Sequence, residues 1–378
     1  MGLASSMQNL REGEIKSLAC SSGLSLEATR WAIRSTFADM TAQHLISWLN
    51  EAELPGHRAR PIGLLGVVLS GNVLTSPART LLLPLLMGVP VLARVSSREQ
   101  LFASLLERTL LDGCPAMRSL ARGIGLVSFD YDGPAGAETL RAFLGAVDTV
   151  SVYGGDETCG AVARLAPLGV PVLQHGHGLG VGVLPSSANA GREAVAEAAA
   201  AYALDVAAYD QRGCLSPQAI YVEDNGWVSP EGFAEELLEA LDVLERTLPR
   251  GPLPTSIAAE QAQFRGVASV VGRALEGNAS CVTYEADRPP RSSPGYRNIA
   301  VHRYADEPAL LRNLGVLGPR LKVIGLAGTA LTRSRLMGVL PAGLTPRVCA
   351  PGEMQTPPFT CVWDGLPAWH GLVRYVAS

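Results

Sequence analysis

The chain has 378 residues and a formal net charge of −4, with 47% hydrophobic and 17% charged residues. Single cores stop growing near ~250–300 residues, so two domains, or one large α/β domain with a lobe, are expected. No basic run or basic–aromatic interleaving is present, which argues against a nucleic-acid partner.

Mean hydropathy is +0.18, yet the most apolar region, Pro61 to Ala93, is cut by Asn72, Arg79, prolines and glycines. It falls short of the ~18–20 clean apolar residues of a membrane span, and buried parallel strands account for it better. The N-terminus carries Arg11, Glu12, Glu14 and Lys16 and lacks the apolar core of a signal peptide. Seven cysteines are scattered singly, without a CxxC pair. That argues against a disulfide scaffold or a metal site, and for the reducing cytoplasm.

Residues 1–60 read as a helical N-terminal segment. Thr41 suits an N-cap, Leu45, Trp48 and Leu49 share a helical face, and Leu54-Pro55-Gly56-His57 closes the segment. From Pro61 the pattern changes. Strands are expected at 62–69, 89–95, 126–129, 149–153 and 170–174. Helices alternate with them at 76–87, from Ser96 to Leu111, at 137–144 and up to Leu165, with Ser76 and Pro77 as N-cap and first position of the first. Such alternation implies right-handed βαβ units and a parallel doubly wound sheet, an NAD(P)-binding domain over 61–177. Ligands of these sheets sit at the carboxyl ends of the strands, where the polar turns 70–76, 94–98 and 154–160 fall.

A second α/β unit, the catalytic domain, is expected over 178–340. It holds a helix at 193–208, a strand at 219–223, helices near 231–247 and 256–275, and a buried strand at 323–326. Residues 285–297 read as a surface loop, and 341–378 as an irregular C-terminal segment.

The chemistry-bearing candidates are few. Cys214 sits in the polar break Tyr209-Asp210-Gln211-Arg212-Gly213-Cys214-Leu215-Ser216-Pro217, after an alanine-rich helix and before an apolar strand. A cation such as Arg212 favours the nucleophilic thiolate, while an ordinary semi-buried cysteine is the plainer alternative. The loop Gly154-Gly155-Asp156-Glu157-Thr158-Cys159-Gly160 leaves a strand and opens a helix, so it either lets a nucleotide approach or is a tight βα turn. It is not a GxGxxG fingerprint, and no acidic residue follows at the ribose-binding distance. Where an NAD enzyme places that acidic residue, the chain has Arg94, Ser96, Ser97 and Arg98. Two cations and two hydroxyls suit a 2′-phosphate, so NADP (as NADPH) is favoured over NAD, unless both arginines are solvated helix-start residues. Asn72 offers an amide to a developing oxyanion, or forms an Asx-type turn. His175 and His177 flank Gly176; either can serve as acid or base, or both lie exposed on a glycine-rich crossover.

Taken in order, six pieces resemble the acyl-CoA reductase family of the aldehyde dehydrogenase superfamily, which includes the fatty-acid reductase component of bacterial bioluminescence. They are Ser70-Gly71-Asn72-Val73, the strand and turn from Gly88 to Ser97, Gly154-Gly155-Asp156-Glu157-Thr158, Gly176-His177-Gly178-Leu179-Gly180, Asp210-Gln211-Arg212-Gly213-Cys214-Leu215-Ser216-Pro217, and Pro351-Gly352-Glu353-Met354-Gln355-Thr356-Pro357-Pro358. The resemblance implies an aldehyde-dehydrogenase-like α/β fold, with a Rossmann-like cofactor domain and a catalytic domain bearing the cysteine. It implies Cys214 as nucleophile, with Asn72 and the Cys214 backbone N–H as oxyanion hole. It implies a cofactor held by Ser70, Gly71, Arg94, Ser96, Ser97 and Arg98 on one side and by Gly154, Gly155, Glu157 and Thr158 on the other. His177, or less readily His175, would shuttle protons. Ordinary aldehyde dehydrogenases carry a glutamate base roughly where this chain has His177-Gly178-Leu179-Gly180, and its loss fits a thioester-using enzyme. Arg94 stands where the family generally has lysine.

The implied reaction is NADPH-dependent reduction of an acyl-CoA or acyl-carrier thioester to the aldehyde. A cysteine thioesterase or acyltransferase without redox chemistry, and a non-catalytic partner subunit, are the alternatives. An acyl-protein synthetase or acyltransferase partner and a homo-oligomer belong to the same expectation.

Overall fold

The structure, a computed structural model, describes residues 2–53, 56–131, 133–285 and 289–377. The chain divides into two compact units. The first is Met1–Ser22, Thr29–His177 and Pro358–Ser378; the second is Gly23–Ala28 and Gly178–Pro357.

In the first unit, five strands form one all-parallel sheet: β1 (Leu65–Val68), β2 (Val91–Arg94), β3 (Ile124–Val127), β4 (Thr149–Tyr153) and β5 (Val172–His175). Their order is β3-β2-β1-β4-β5. The chain therefore starts in the middle, grows to one edge, then returns to grow to the other, as in doubly wound nucleotide-binding sheets. The helices Gly133–Gly145 and Asp156–Leu165 cover one face, where Phe143, Leu144 and Val162 pack on Val68, Val150 and Val152. Four helices occupy the N-terminal residues, and Thr41 caps one of them by accepting a hydrogen bond from the His44 N–H at 3.2 Å. Of the expected closing loop, Leu54 and Pro55 lie outside the described residues. His57 instead begins a strand, His57–Pro61, paired antiparallel with Val373–Ala377. Val373–Ala377 and Arg347–Cys349 are strands within a tail expected to be irregular.

The helix expected from Ser96 starts at Leu101 and is followed by a second, Pro115–Ala121. The late start has a local cause. The buried Glu99 carboxylate accepts the N–H groups of Leu101 at 2.9 Å and Phe102 at 3.2 Å and so caps the helix.

In the second unit, seven strands form one sheet: β6 (Leu179–Leu184), β7 (Pro217–Glu223), β8 (Gly272–Glu276), β9 (Cys281–Glu285), β10 (Asn298–Tyr304), β11 (Leu321–Leu326) and β12 (Arg347–Cys349). Their order is β12-β11-β6-β7-β10-β9-β8, all parallel except the edge strand β8. Along β7, Ile220 and Val222 join one core while Ala219 and Tyr221 join the other. Alternate residues point to opposite faces, and both faces are covered, which is why the run is apolar throughout.

Strand β6 was not expected, because Gly180 and Gly182 break its apolar pattern. The glycines are there for close packing. A Cβ at Gly182 would lie 2.8 Å from the Tyr202 ring, and Tyr202, on the helix Arg192–Ala207, donates its hydroxyl to the carbonyls of Val183 at 2.7 Å and Gly325 at 3.0 Å. The helix expected over 256–275 ends at Val271, and β8 takes over. The loop expected at 285–297 is not a surface loop throughout: 286–288 lie outside the described residues, and Gly295, Tyr296 and Arg297 are buried. Among the described residues no helix is long and apolar enough to cross a membrane.

Asp205, fully buried on the same helix as Tyr202, anchors the C-terminal loop. Its carboxylate accepts the N–H groups of Gly352 at 2.6 Å and Met354 at 2.9 Å. Burial pushes its pKa up to about 7, against the pull of these N–H groups. A carboxyl with a raised folded-state pKa binds its proton more tightly when folded, so its contribution is full below about pH 4 and is lost as pH rises through 7. The thermal midpoint should therefore fall between pH 5 and 8, and Asp205→Asn should flatten that slope. An unchanged slope in the variant would refute the assignment.

Candidate active site

In the first unit the direction of growth reverses between β1 and β4, and the loops leaving these strands frame the switch point at which such sheets bind ligands. The loop after β1 carries Ser70, Gly71 and the exposed Asn72. It lies against the loop after β2, since a Cβ on Gly71 would sit 2.5 Å from the Ser96 hydroxyl. Ser96 is buried and accepts the Arg98 N–H at 3.2 Å, which turns Ser97 and Arg98 outward to exposed positions. Arg94 faces inward. Its Nε and Nη2 donate to the Phe129 carbonyl at 3.2 and 3.1 Å, and its guanidinium lies 4.8 Å from the centre of the Tyr131 ring.

The loop after β4 opens the helix Asp156–Leu165, with Gly155 as N-cap. A Cβ added to Gly155 would meet nothing within 4 Å, so the backbone is open to a ligand there. Thr158 fills the space beneath Gly154, and its hydroxyl lies 3.3 Å from that of Tyr131. The first turn carries Asp156 and Glu157. Two carboxylates at the positive end of a helix oppose a phosphate, so this end suits ribose hydroxyls or a ring better than a pyrophosphate.

Beside it, at the carboxyl end of β5, His175 stacks on Tyr153 with ring centres 4.4 Å apart. Its Nδ1 lies 2.9 Å from Oδ2 of Asp364. A carboxylate on one ring nitrogen sets the tautomer and aims the other nitrogen. His177 is exposed. Asp364 was missed in the sequence because it stands 189 residues from His175.

In the second unit Cys214 lies in the turn just before β7, partly buried. The Gly213 N–H donates to the Ser216 hydroxyl at 3.2 Å and the Ser216 N–H to the Gly213 carbonyl at 3.0 Å, closing the turn around the thiol. The three residues Tyr209, Asp210 and Gln211 are all left-handed, with φ of 52°, 51° and 59°. For non-glycine residues this costs on the order of 1–2 kcal/mol each. A second left-handed run, Gly295, Tyr296 and Arg297 (φ of 71°, 53° and 66°), packs against the first, and the Tyr296 N–H donates to the Asp210 carbonyl at 2.8 Å.

Side chains lock the two runs together. Asp210 Oδ1 pairs with Arg297 Nη2 at 3.1 Å, both fully buried, while its Oδ2 accepts the Gly251 N–H at 3.0 Å. Arg297 also pairs with Glu245. The Gln211 amide donates to the carbonyls of Pro217 and Asn298 and accepts the Asn298 N–H, each at 2.8 Å. Removing one member of a buried ion pair strands the other, at about 3–5 kcal/mol. Arg212 is committed to the same assembly, through Nε to the Tyr209 carbonyl at 3.2 Å and its guanidinium 5.6 Å from the Tyr296 ring centre. Gly178 and Lys322 border the turn: a Cβ on Gly178 would lie 3.2 Å from the Cys214 carbonyl and 2.4 Å from Lys322 Cγ. Asp210 and Gln211 were in view in the sequence, but nothing there paired them with Arg297 and Asn298, 87 residues on.

Comparison with known proteins follows the same lines. The chain is similar to the long-chain acyl-protein thioester reductase of Vibrio harveyi, 28% identical over 205 residues, covering 54% of this chain and 40% of that protein. It is 23% identical to the reductase of the same name from Aliivibrio fischeri over 253 residues, covering 66% and 49%. The chain thus spans less than half the length of these relatives. Its fold is that of aldehyde dehydrogenases. Aldehyde dehydrogenase 21 from Physcomitrella patens superposes with a TM-score of 0.71 at 13% identity, covering 99% of this chain and 83% of that one. An NAD-dependent benzaldehyde dehydrogenase from Corynebacterium glutamicum gives 0.67 at 16% identity, covering 99% and 83%. Residues 40–375 match the sequence model of the family described as Acyl-CoA reductase (LuxC), and the chain belongs to that family.

Proposed function

We propose that this chain reduces an acyl thioester to its aldehyde with NADPH, through an acyl-enzyme on Cys214. The observation that carries the reading is a partly exposed thiol in a turn closed by hydrogen bonds on both sides, in a chain that also contains a doubly wound sheet with an open switch point. The names of the long-chain acyl-protein thioester reductases it resembles support the thioester and a long acyl chain.

The proposed roles follow from the side chains. The Cys214 thiolate attacks the thioester carbonyl, and the carrier thiolate leaves and takes up a proton. The Asn72 amide and the Cys214 backbone N–H donate to the oxyanion. Bound NADPH supplies the hydride that reduces the acyl-enzyme carbonyl. Hydride addition leaves a thiohemiacetal oxyanion, which collapses: the carbon–sulfur bond breaks, and aldehyde departs as the thiolate re-forms. His177, with His175, oriented by Asp364, as the alternative, donates the proton that the leaving carrier thiolate takes up. The residues fit a dinucleotide: Gly155 leaves open backbone, Ser70 and Gly71 line the switch point, and Thr158 and Glu157 offer partners to hydroxyls. For a 2′-phosphate the outward-facing Ser97 and Arg98 are the available partners, with Arg94 and Ser96 shaping the turn beneath them. Acyl-CoA or an acyl-carrier thioester is the substrate class. An acyl-protein synthetase or acyltransferase supplies the acyl group, to a homo-oligomer in the cytoplasm.

Incubation with saturated acyl-CoAs and NADPH should yield aldehyde with matching NADPH oxidation. Cys214→Ala should lower turnover by at least about 10³-fold. Full activity in that variant removes the mechanism, and thioester cleavage without NADPH consumption would mark a thioesterase instead. Arg98→Ala should raise the KM for NADPH about 10-fold while leaving that for NADH within about 2-fold. Equal effects on both cofactors would exclude Arg98 as the phosphate partner.

A further inference from the structure

We propose that Arg297 is a positioning residue for the Cys214 thiol, acting through Asp210, with Gln211 as the second point of attachment. The inference rests on the acyl-enzyme reading above and goes beyond it by naming what holds the nucleophile in place.

Three observations carry it. First, three consecutive left-handed non-glycine residues end three positions before the thiol. A short chain does not hold that conformation unaided, so the surroundings impose it. Secondly, the imposing groups converge on this turn. Arg297 is 1% exposed and reaches Asp210 inside the turn and Glu245 at the end of the helix Pro230–Leu244, so it ties a strained segment to a rigid one. Thirdly, the Gln211 amide brackets the cysteine. It holds the Pro217 carbonyl just beyond the turn and the Asn298 backbone on the adjacent strand, so residues 212–216 form a loop pinned at both ends. Attack on a carbonyl needs the sulfur aligned within a narrow cone, and a loop pinned in this way supplies that alignment before substrate arrives. A small alkylating agent does not need the same alignment. The two reactions of one thiol therefore separate positioning from mere presence.

The test uses the full chain. Acylation of Cys214 by octanoyl-CoA, without cofactor, is followed by mass spectrometry of the peptide that carries residue 214, because Cys20 and Cys114 are exposed as well. Alkylation by iodoacetamide is followed in parallel on the same peptide, with the thermal midpoint as a control. Arg297→Met should slow acylation at least about 10-fold and change alkylation less than about 3-fold. Arg297→Lys should recover part of the loss, because an ammonium can pair with Asp210 but lacks the fork that also reaches Glu245. The double variant Asp210→Asn/Arg297→Met leaves no unpaired charge at Asp210. It should regain thermal stability yet remain slow in acylation, and it decides the question if Arg297→Met does not fold. Wild-type acylation in the double variant overturns the proposal, as does an equal loss of acylation and alkylation. A wild-type protein whose Cys214 alkylates but takes up no acyl group defeats the acyl-enzyme reading itself. That result is distinct from one in which wild type and variants acylate alike.

Discussion

The turn that carries Cys214 depends on a buried ion pair between Asp210 and Arg297. Burying two charges is costly, and the pair is worth keeping only where its geometry does something an apolar contact would not. Here it holds two left-handed backbone runs face to face, each the support of the other. Such backbone angles persist only where the surroundings impose them, and here each run supplies part of the other's surroundings.

Each unit handles its glycines according to the same economy of space. In the first, Gly71 lets the loop after β1 touch Ser96, and Gly155 leaves backbone uncovered at the start of a helix. In the second, Gly182 lets β6 receive the Tyr202 ring and Gly325 lets β11 receive Met354, while the Tyr202 hydroxyl donates to both strands, so the Arg192–Ala207 helix leads into the Cys214 turn from a rigid seat. A strand rich in glycine is weak by propensity. Packing of the helix on its face offsets the deficit.

The alternating segments of residues 61–177 were legible because the central strands β1, β2 and β4 are buried almost throughout and read as apolar runs between helices, although the helix expected from Ser96 opens only at Leu101 and Thr75, not Ser76, is the N-cap of the first. The strands β8, β9 and β10 were not: β8 is a short edge strand that reads as the end of the preceding helix, and β9 and β10 flank the proline-bearing stretch that reads as a loop. Among the site candidates, the turn at 94–98 was visible as a cluster of cations and hydroxyls. The sequence could not say that Arg94 turns inward to Phe129 and Tyr131 while Arg98 turns out. That depends on the Ser96 hydroxyl capturing the Arg98 N–H, a contact decided by the fold around it.

Local order along the chain was enough to determine the α/β class, the doubly wound cofactor-type sheet, the family and the turn that presents Cys214. All of these rest on neighbours within a few residues or on motifs that recur in a set order. Only the tertiary structure decided which carboxylate orients His175, which arginine latches Asp210, and that β6 is a central strand despite its glycines. The first two join residues 189 and 87 positions apart, and the third sets β6 between β7 and β11; such contacts come from packing whole elements together, which no short-range pattern encodes.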